Sequence, residues 1–132
     1  MVSKKLTVLI VDDSKLMIDK IIELLDNCEV IGKIYSSLTY SNAIGLIDSK
    51  RPDVALLDIN LQDRSGIDIL SYIRENNAEM KVIMFTNNVS NYHKEQCLKI
   101  GADHFIDKSQ DFDILSLLIV GLAKQSYHVR PI

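Results

Sequence analysis

The chain has 132 residues, of which 47% are hydrophobic and 25% are charged, as is typical of one globular domain. Its net charge of −3 gives no electrostatic reason to expect a nucleic-acid partner, and no apolar run approaches the roughly 20 residues that span a bilayer. The first apolar run is too short for the core of a signal peptide. The spacing of Cys28 and Cys97 does not match a metal site, and two cysteines do not suggest a disulfide framework. We therefore expect a cytoplasmic protein with two reduced thiols and no membrane contact.

Five strand-like runs alternate with five helix-like stretches. The predicted strands are residues 6–11, 29–35, 54–57, 81–85 and about 103–106. The predicted helices run from Lys15 to about Asn27, from Ser41 or Asn42 to the break at Arg51-Pro52, from Gly66 to Glu75, from 91 to 100, and from a cap at Asp111 to about Gln125. Such alternation predicts an α/β fold, with a parallel sheet covered by helices on both faces. We expect one domain over residues 1–132, with its core in about 5–124 and a tail over 126–132.

Polar residues follow four of the predicted strands at the point where each strand ends. They are Asp12 and Asp13 after the first strand, Asp58 after the third, Thr86 after the fourth, and Asp107 with Lys108 after the fifth. Ligands of an open parallel sheet bind beyond the carboxyl ends of its strands. Carboxylates, a hydroxyl and an ammonium are therefore expected to gather at one edge of one sheet.

These side chains suit phosphoryl chemistry. Asp12, Asp13 and Asp58 would repel one another if they met without a counter-charge. Mg²⁺ resolves such repulsion, because it prefers carboxylate, water and phosphate oxygens at about 2.1 Å. Lys108 adds a fixed cation and Thr86 a hydrogen-bond donor, and an aspartate carboxylate can attack phosphorus. The residues therefore favour an aspartyl phosphate on Asp58, assisted by Mg²⁺.

At this point the chain resembles a response-regulator receiver domain of two-component signalling, over about residues 5–124. The matching motifs are Val11-Asp12-Asp13-Ser14, Leu57-Asp58-Ile59-Asn60-Leu61 with Gly66, Phe85-Thr86, and Gly101-Ala102-Asp103-His104-Phe105-Ile106-Asp107-Lys108. The resemblance implies a flavodoxin-like (βα)5 three-layer sandwich with a five-stranded sheet in the order 2-1-3-4-5. It also implies a phosphoacceptor that assists its own phosphorylation and dephosphorylation, and not an enzyme.

The resemblance further implies roles for the gathered residues. Asp58 would accept a phosphoryl group from a phosphohistidine on a sensor histidine kinase or histidine phosphotransfer protein. Asp13, Asp58 and the backbone carbonyl of Asn60 would ligate Mg²⁺, with Asp12 acting through water. Lys108 would pair with Asp58 or with the phosphoryl group.

The same resemblance implies a conformational switch. Thr86 would move to hydrogen-bond a phosphoryl oxygen, and Phe105 matches the aromatic position that would turn inward behind it. The face made by the fourth helix, the fifth strand and the fifth helix would then change its affinity for a downstream protein.

Three residues depart from the family pattern. Ser109 follows Lys108 where proline is frequent, which puts the customary cis bond in doubt. Gln62 stands where the loop after the acceptor often carries proline, so a more mobile loop is expected. Asn87 replaces a small residue beside Thr86, and its larger side chain is expected to narrow access to the phosphoryl group and slow its loss.

Apolar residues on expected solvent faces suggest contact surfaces. In the last helix, Leu117 and Val120 lie opposite the inner stripe and suggest a partner face or a homodimer patch. Leu16 projects away from the inner stripe of the first helix, close to Asp13, and suggests a docking contact beside the site. Scattered surface apolar residues are the alternative in both cases.

Two rival functions remain at this stage. One is an interaction module of the same fold that signals without phosphate, through its fourth and fifth helices. The other is a phosphatase with an aspartate nucleophile, although the sequence offers no helical cap or substrate pocket for one.

Overall fold

The computed structural model describes residues 5–77, 79–87 and 89–128, with side chains described as far as residue 124. Its strands are β1 (Leu6–Val11), β2 (Ile31–Ser37), β3 (Val54–Leu57), β4 (Lys81–Thr86) and β5 (His104–Asp107). Its helices are α1 (Lys15–Leu25), α2 (Tyr40–Lys50), α3 (Gly66–Asn76), α4 (Asn91–Ile100) and α5 (Leu115–His128), the last preceded by a 3-10 turn at Phe112–Ile114. No helix in these ranges has the length and hydropathy of a membrane span.

All five strands form one parallel sheet in the order β2-β1-β3-β4-β5. The central strand β3 lies between β1 and β4, with Leu57 opposite Val11 on one side and opposite Met84 on the other. All four residues of β3 are buried, because helices cover both faces of the sheet. The predicted parallel sheet and its strand order are therefore confirmed.

The apolar residues divide into two cores, one on each face of the sheet. On one face, Ile10, Leu56 and Phe85 pack with Ile21 of α1 and Ile119 of α5. On the other face, the buried residues come from alternate strand positions and from α2, α3 and α4. They include Leu9, Ala55, Leu57, Met84, Ala43, Ile47, Leu70, Ile73 and Cys97. The molecule is thus the expected three-layer sandwich, since successive strand residues point to opposite faces.

Local capping explains several helix ends. Ser14 accepts the amide of Met17 at the start of α1, and Ser90 accepts the amide of His93 at the start of α4, as the sequence predicts. Gly101 ends α4 with a positive φ of 128°, a conformation in which glycine carries no steric penalty.

Several predicted boundaries are wrong. Helix α1 ends at Leu25, and a turn in which Ile31 donates to the carbonyl of Cys28 delays β2, which then runs to Ser37. Helix α2 begins at Tyr40, before the predicted Ser41 or Asn42. Its N-cap is the local residue Thr39, and the carboxylate of Asp63, from a distant loop, accepts the amides of the first two helical residues.

The start and end of α5 also differ from the prediction. Asp111 makes no side-chain cap, and a 3-10 turn precedes the α-helix. The helix then continues to His128, into residues predicted as tail. Residues 129–132 of that predicted tail lie outside the described residues.

Candidate functional site

The carboxyl ends of three strands bring the chemically active side chains to one edge of the sheet. The amide of Asp58 donates to the carbonyl of Val11 at 2.9 Å, which continues the β1–β3 pairing by one residue. The amide of Lys108 donates to the carbonyl of Thr86 at 2.9 Å in the same way beyond β4 and β5. Backbone pairing therefore fixes where Asp58 and Lys108 leave the sheet.

A buried ammonium joins two buried carboxylates at this edge. Lys108 Nζ lies 2.6 Å from Asp12 Oδ2 and 3.2 Å from Asp58 Oδ2. All three residues are at most 7% exposed. The sequence predicts a Lys108–Asp58 pair, and the shorter contact with Asp12 was not foreseen. Such charge-assisted hydrogen bonds offset part of the cost of burying the three charges.

The third carboxylate, Asp13, is exposed but belongs to the same cluster. One oxygen from each of Asp12, Asp13 and Asp58 lies within 4.8 Å of the others. Oxygens at about 2.1 Å from one Mg²⁺ ion are at most about 4.2 Å apart, so a small side-chain movement or one bridging water would let this oxygen set hold the ion. The donor chemistry also fits, because Mg²⁺ takes hard oxygen ligands and tolerates several waters.

Gly66 allows the loop after Asp58 to fold back on itself. The amide of Gly66 donates to the carbonyl of Ile59 at 2.8 Å. A Cβ at this position would overlap the backbone carbonyl oxygen of Asp58. The same loop carries Asn60, whose amide lies 3.4 Å from Asp58 Oδ1. Only glycine fits here, because the start of α3 lies directly against the backbone of the acidic residue.

The remaining predicted site residues lie along β4 and β5. Thr86 is fully buried at the end of β4. Asn87 follows it and is exposed. Phe105 is half-buried in β5, opposite Met84, and packs against the core beneath α2, α3 and α4. Thr86 thus lies at the sheet edge that carries the acidic cluster, whereas Phe105 lies within the outer strand.

This geometry agrees with the comparison against known families, in which residues 8–119 match the response regulator receiver domain. The chain belongs to this family. Receiver domains of two-component response regulators are phosphoacceptors that generally bind Mg²⁺ at an acidic pocket, and the three aspartates form such a pocket in this receiver domain.

Individual relatives support the assignment. The receiver domain is 33% identical, over 114 residues, to a nitrate/nitrite response regulator protein homolog of Haemophilus influenzae, and the match covers 84% of this chain and 53% of that relative. The chain thus spans about half the length of this curated relative.

Solved structures give the same result. The receiver domain of a DNA binding response regulator protein from Colwellia psychrerythraea 34H is 25% identical with a TM-score of 0.85, covering 92% of this chain and 100% of that one. The BeF3-activated receiver domain of DrrB, a Thermotoga maritima protein, is 26% identical with a TM-score of 0.82, covering 91% and 98%.

Burial disfavours the ionised form of Asp12 in the receiver domain's site. Burial raises the pKa of Asp12 above its ordinary 3.8, and the hydrogen bonds from Lys108 and from the amide of Ser14 oppose that rise only in part. The folded protein therefore holds a proton on Asp12 more tightly than the unfolded chain does. For an acid with a raised pKa, stability falls as the pH rises from 3.8 through the folded pKa.

We expect Asp12→Asn to make the metal-free receiver domain more stable than wild type at neutral pH. The variant buries a neutral amide in place of the Asp12 carboxylate and leaves Asp58 as the buried carboxylate beside Lys108. The advantage should shrink as the pH falls towards 3.8, where the wild-type Asp12 is also neutral. Thermal unfolding in a chelator across this pH range measures both effects. A variant less stable than wild type at neutral pH would show that the ion pair with Lys108 outweighs the cost of burial.

The turn after β5 holds Lys108 without a proline. Asp107 Oδ1 accepts the amide of Ser109 at 2.9 Å and the hydroxyl of Ser109 at 2.8 Å. These two bonds lower the pKa of Asp107, so the carboxylate that makes them is ionised at neutral pH. Every described peptide bond is trans, including Lys108–Ser109, in contrast to the family pattern.

The structure also adds a residue that the sequence interpretation missed. Asp63, in the loop after Asp58, accepts the amides of Tyr40 and Ser41 at the start of α2. No local signal could have revealed this contact, because more than 20 residues separate the partners.

Proposed function

We propose that the protein is a phosphorylation-controlled switch in which Asp58 accepts a phosphoryl group from a phosphohistidine of a sensor histidine kinase or a histidine phosphotransfer protein. The observation that supports this most strongly is the buried ammonium of Lys108, which contacts both Asp12 and Asp58 within 3.2 Å. Burying a lysine ammonium costs desolvation energy. Buried ionised groups of this kind are concentrated at functional sites, and a positive charge here suits the binding of an anionic ligand.

Asp13, Asp58 and the backbone carbonyl of Asn60 would hold Mg²⁺, with Asp12 contributing through water. When bound, the ion supplies positive charge that offsets both the carboxylates and the oxygens of an incoming phosphoryl group. The exposed position of Asp13 supports this assignment, since the ion and the donor must both enter from solvent.

The transfer itself needs little from the protein beyond placement. An Asp58 carboxylate oxygen forms a bond to phosphorus while the bond from phosphorus to the donor's imidazole nitrogen breaks, and the imidazole leaves with that electron pair. Lys108 lies 3.2 Å from one Asp58 oxygen, where its charge can stabilise the phosphoryl group after transfer. Each cycle moves one phosphoryl group on and off the protein, so it acts as an acceptor and not as an enzyme.

Acetyl phosphate with Mg²⁺ tests this proposal against phosphate-independent signalling. Wild type should gain the mass of one phosphoryl group, and Asp58→Ala should gain none. No mass gain in wild type would favour the interaction module as the function, and the same gain in Asp58→Ala would contradict Asp58 as the acceptor.

The output of the switch is proposed to be the face of α4, β5 and α5. Thr86 would bind a phosphoryl oxygen, and Phe105, half-buried in β5, would change its packing in response. Exposed apolar side chains on the two helices support a docking role for this face. They are Tyr92 and Leu98 of α4 and Leu117 of α5.

We expect Leu117→Glu to weaken a partner complex or to change the oligomeric mass of the protein in solution, because the Leu117 side chain is 70% exposed on α5. Val120, its predicted neighbour in the patch, is half-buried and offers less surface. Leu38→Glu is the matched control, since Leu38 is also exposed but follows β2 at the other side of the sheet. If both variants sediment and bind a partner as wild type does, Leu117 is not part of a contact surface.

We expect Asn87→Ala to shorten the half-life of the aspartyl phosphate. Asn87 is exposed directly after Thr86, where its side chain can shield the phosphoryl group from attacking water. The decay of phosphorylated protein after removal of acetyl phosphate measures the effect. Asn27→Ala is a control at the opposite edge of the sheet, before β2. If the half-life of the aspartyl phosphate is the same in Asn87→Ala and wild type, Asn87 does not shield the phosphoryl group.

A further inference from the structure

The loop between Asp58 and α3 is tied to the start of α2 by one carboxylate. Asp63 Oδ1 accepts the amide of Tyr40 at 2.8 Å, and Asp63 Oδ2 accepts the amide and the hydroxyl of Ser41 at 3.1 and 3.3 Å. These bonds lower the pKa of Asp63, with the Tyr40 amide as the largest cause, so its carboxylate is ionised at neutral pH. Its charge also suits the positive end of the helix dipole.

A second contact reinforces the same connection. The guanidinium of Arg64 lies over the ring of Tyr40, 4.2 Å from the ring centroid, and its Nε lies 3.4 Å from Asp68 Oδ2 in α3. Asp63 and Arg64 therefore both contact Tyr40 at the start of α2, and Arg64 also contacts α3. Two consecutive loop residues thus connect both neighbouring helices.

The loop is also fixed at its root. The amide of Gly66 donates to the carbonyl of Ile59, closing the segment that contains Asn60 and Asp63. Gln62, at the position where a proline ring would stiffen the loop, is exposed. Asp63 therefore supplies a long-range tie in a loop that has no proline ring, and the mobility of this loop stays a prediction.

We propose that Asp63 is a positioning residue for the acceptor site. By holding the loop against α2, it keeps the backbone of Asn60 in place beside Asp58, so that the acidic cluster is ready for a divalent cation. This inference rests on the proposed function, since it concerns the same cation site. An ordinary helix cap, stabilising α2 alone, is the competing role for Asp63.

Two variants separate positioning from capping. Asp63→Ala removes the tie between the loop and α2. Thr39→Ala removes the other side-chain cap of the same helix, the bond from the amide of Asn42 to Thr39 Oγ1 at 3.2 Å, and leaves the loop tied. Both variants should lose thermal stability, because Thr39→Ala leaves one amide and Asp63→Ala leaves two amides in the first turn of α2 without their acceptor.

Titration with Mg²⁺ alone then distinguishes the roles. Asp63→Ala should bind Mg²⁺ about tenfold more weakly than wild type, as is typical when a residue that orients a metal ligand is lost. Thr39→Ala should bind it as wild type does. Asp63→Asn, which keeps one acceptor oxygen, should fall between them and serves also if Asp63→Ala fails to fold. Equal affinities in wild type and Asp63→Ala, or equal losses in both alanine variants, would overturn the inference.

Amide hydrogen exchange keeps this test separate from the proposed function. If wild type itself fails to bind Mg²⁺, the proposed function is wrong, and the exchange rates of residues 59–65 decide the role of Asp63. Faster exchange there in Asp63→Ala, and not in Thr39→Ala, supports positioning. Unchanged exchange in both variants contradicts it.

Discussion

Replacement of Lys108 by methionine should lower the free energy of unfolding at neutral pH by about 3–5 kcal/mol, because it leaves the buried carboxylates of Asp12 and Asp58 without their ammonium. Loss of Lys108 also removes two influences that hold down the pKa of Asp12. That pKa should rise further, so part of the lost stability should return as the pH is lowered and Asp12 takes up a proton. Chemical denaturation at neutral and acidic pH, in a chelator, measures both parts.

Lys15→Met is the matched control for this prediction. Lys15 pairs with Asp19 one helical turn away, and both side chains are more than half exposed. Such a pair contributes only about 0.3–0.5 kcal/mol. Similar small losses in the two lysine variants would mean that Lys108 does not balance the charge of the cluster, and would remove the main support for a phosphoryl site.

Gly66→Ala should distort the acceptor loop and destabilise the protein by about 1–3 kcal/mol, because the added methyl group overlaps the backbone carbonyl oxygen of Asp58. The backbone must move to admit it, and Asn60 moves with it. We therefore expect weaker Mg²⁺ binding and slower phosphorylation by acetyl phosphate, in addition to the lower melting temperature.

The same substitution at Gly45 should change the stability in the opposite direction. Gly45 lies inside α2, and a Cβ there meets no atom within 4 Å. Alanine is favoured over glycine in a helix interior by about 1 kcal/mol. Gly45→Ala should therefore stabilise the protein and leave Mg²⁺ binding unchanged. If Gly66→Ala also stabilises it, the close approach of α3 to Asp58 is not a constraint.

Sequence reasoning predicted the sheet and the edge that carries the site because both follow from short-range rules. A buried run such as 54–57 identifies a strand, and the residue that follows it must lie at the carboxyl edge of a parallel sheet. Asp12, Asp58 and Lys108 could therefore be assigned to one edge. Which carboxylate lies nearer to Lys108 depends on side-chain positions that no periodicity encodes, and the closer contact with Asp12 had to be observed.

The wrong starts of α2 and α5 have a related physical cause, because tertiary contacts and local backbone conformation decide which residues cap a helix. Helix α2 starts early with Thr39 as its local cap, and Asp63 supplies further acceptors from another loop. Asp111 has the composition of a cap, yet its side chain accepts no amide and a 3-10 turn forms instead. Propensity identifies residues that can cap a helix, but the tertiary contacts decide which ones do.

Charge balance is the feature that connects stability and function in this receiver domain. Two buried carboxylates share one buried ammonium, and a third carboxylate faces solvent within 4.8 Å of them. The metal-free site therefore carries excess negative charge. Burial raises the pKa of Asp12, and the charge of Asp58 adds a smaller contribution in the same direction. A cation that binds only the folded state should relieve this excess and stabilise the fold.

Calorimetric titration with Mg²⁺ tests this arrangement most directly, using wild type, Asp13→Asn and Asp58→Asn. We expect one ion to bind each wild-type chain, raising its melting temperature, and both variants to bind it much more weakly. Undiminished Mg²⁺ affinity in the two variants would contradict the assignment of the three clustered aspartates as the cation site.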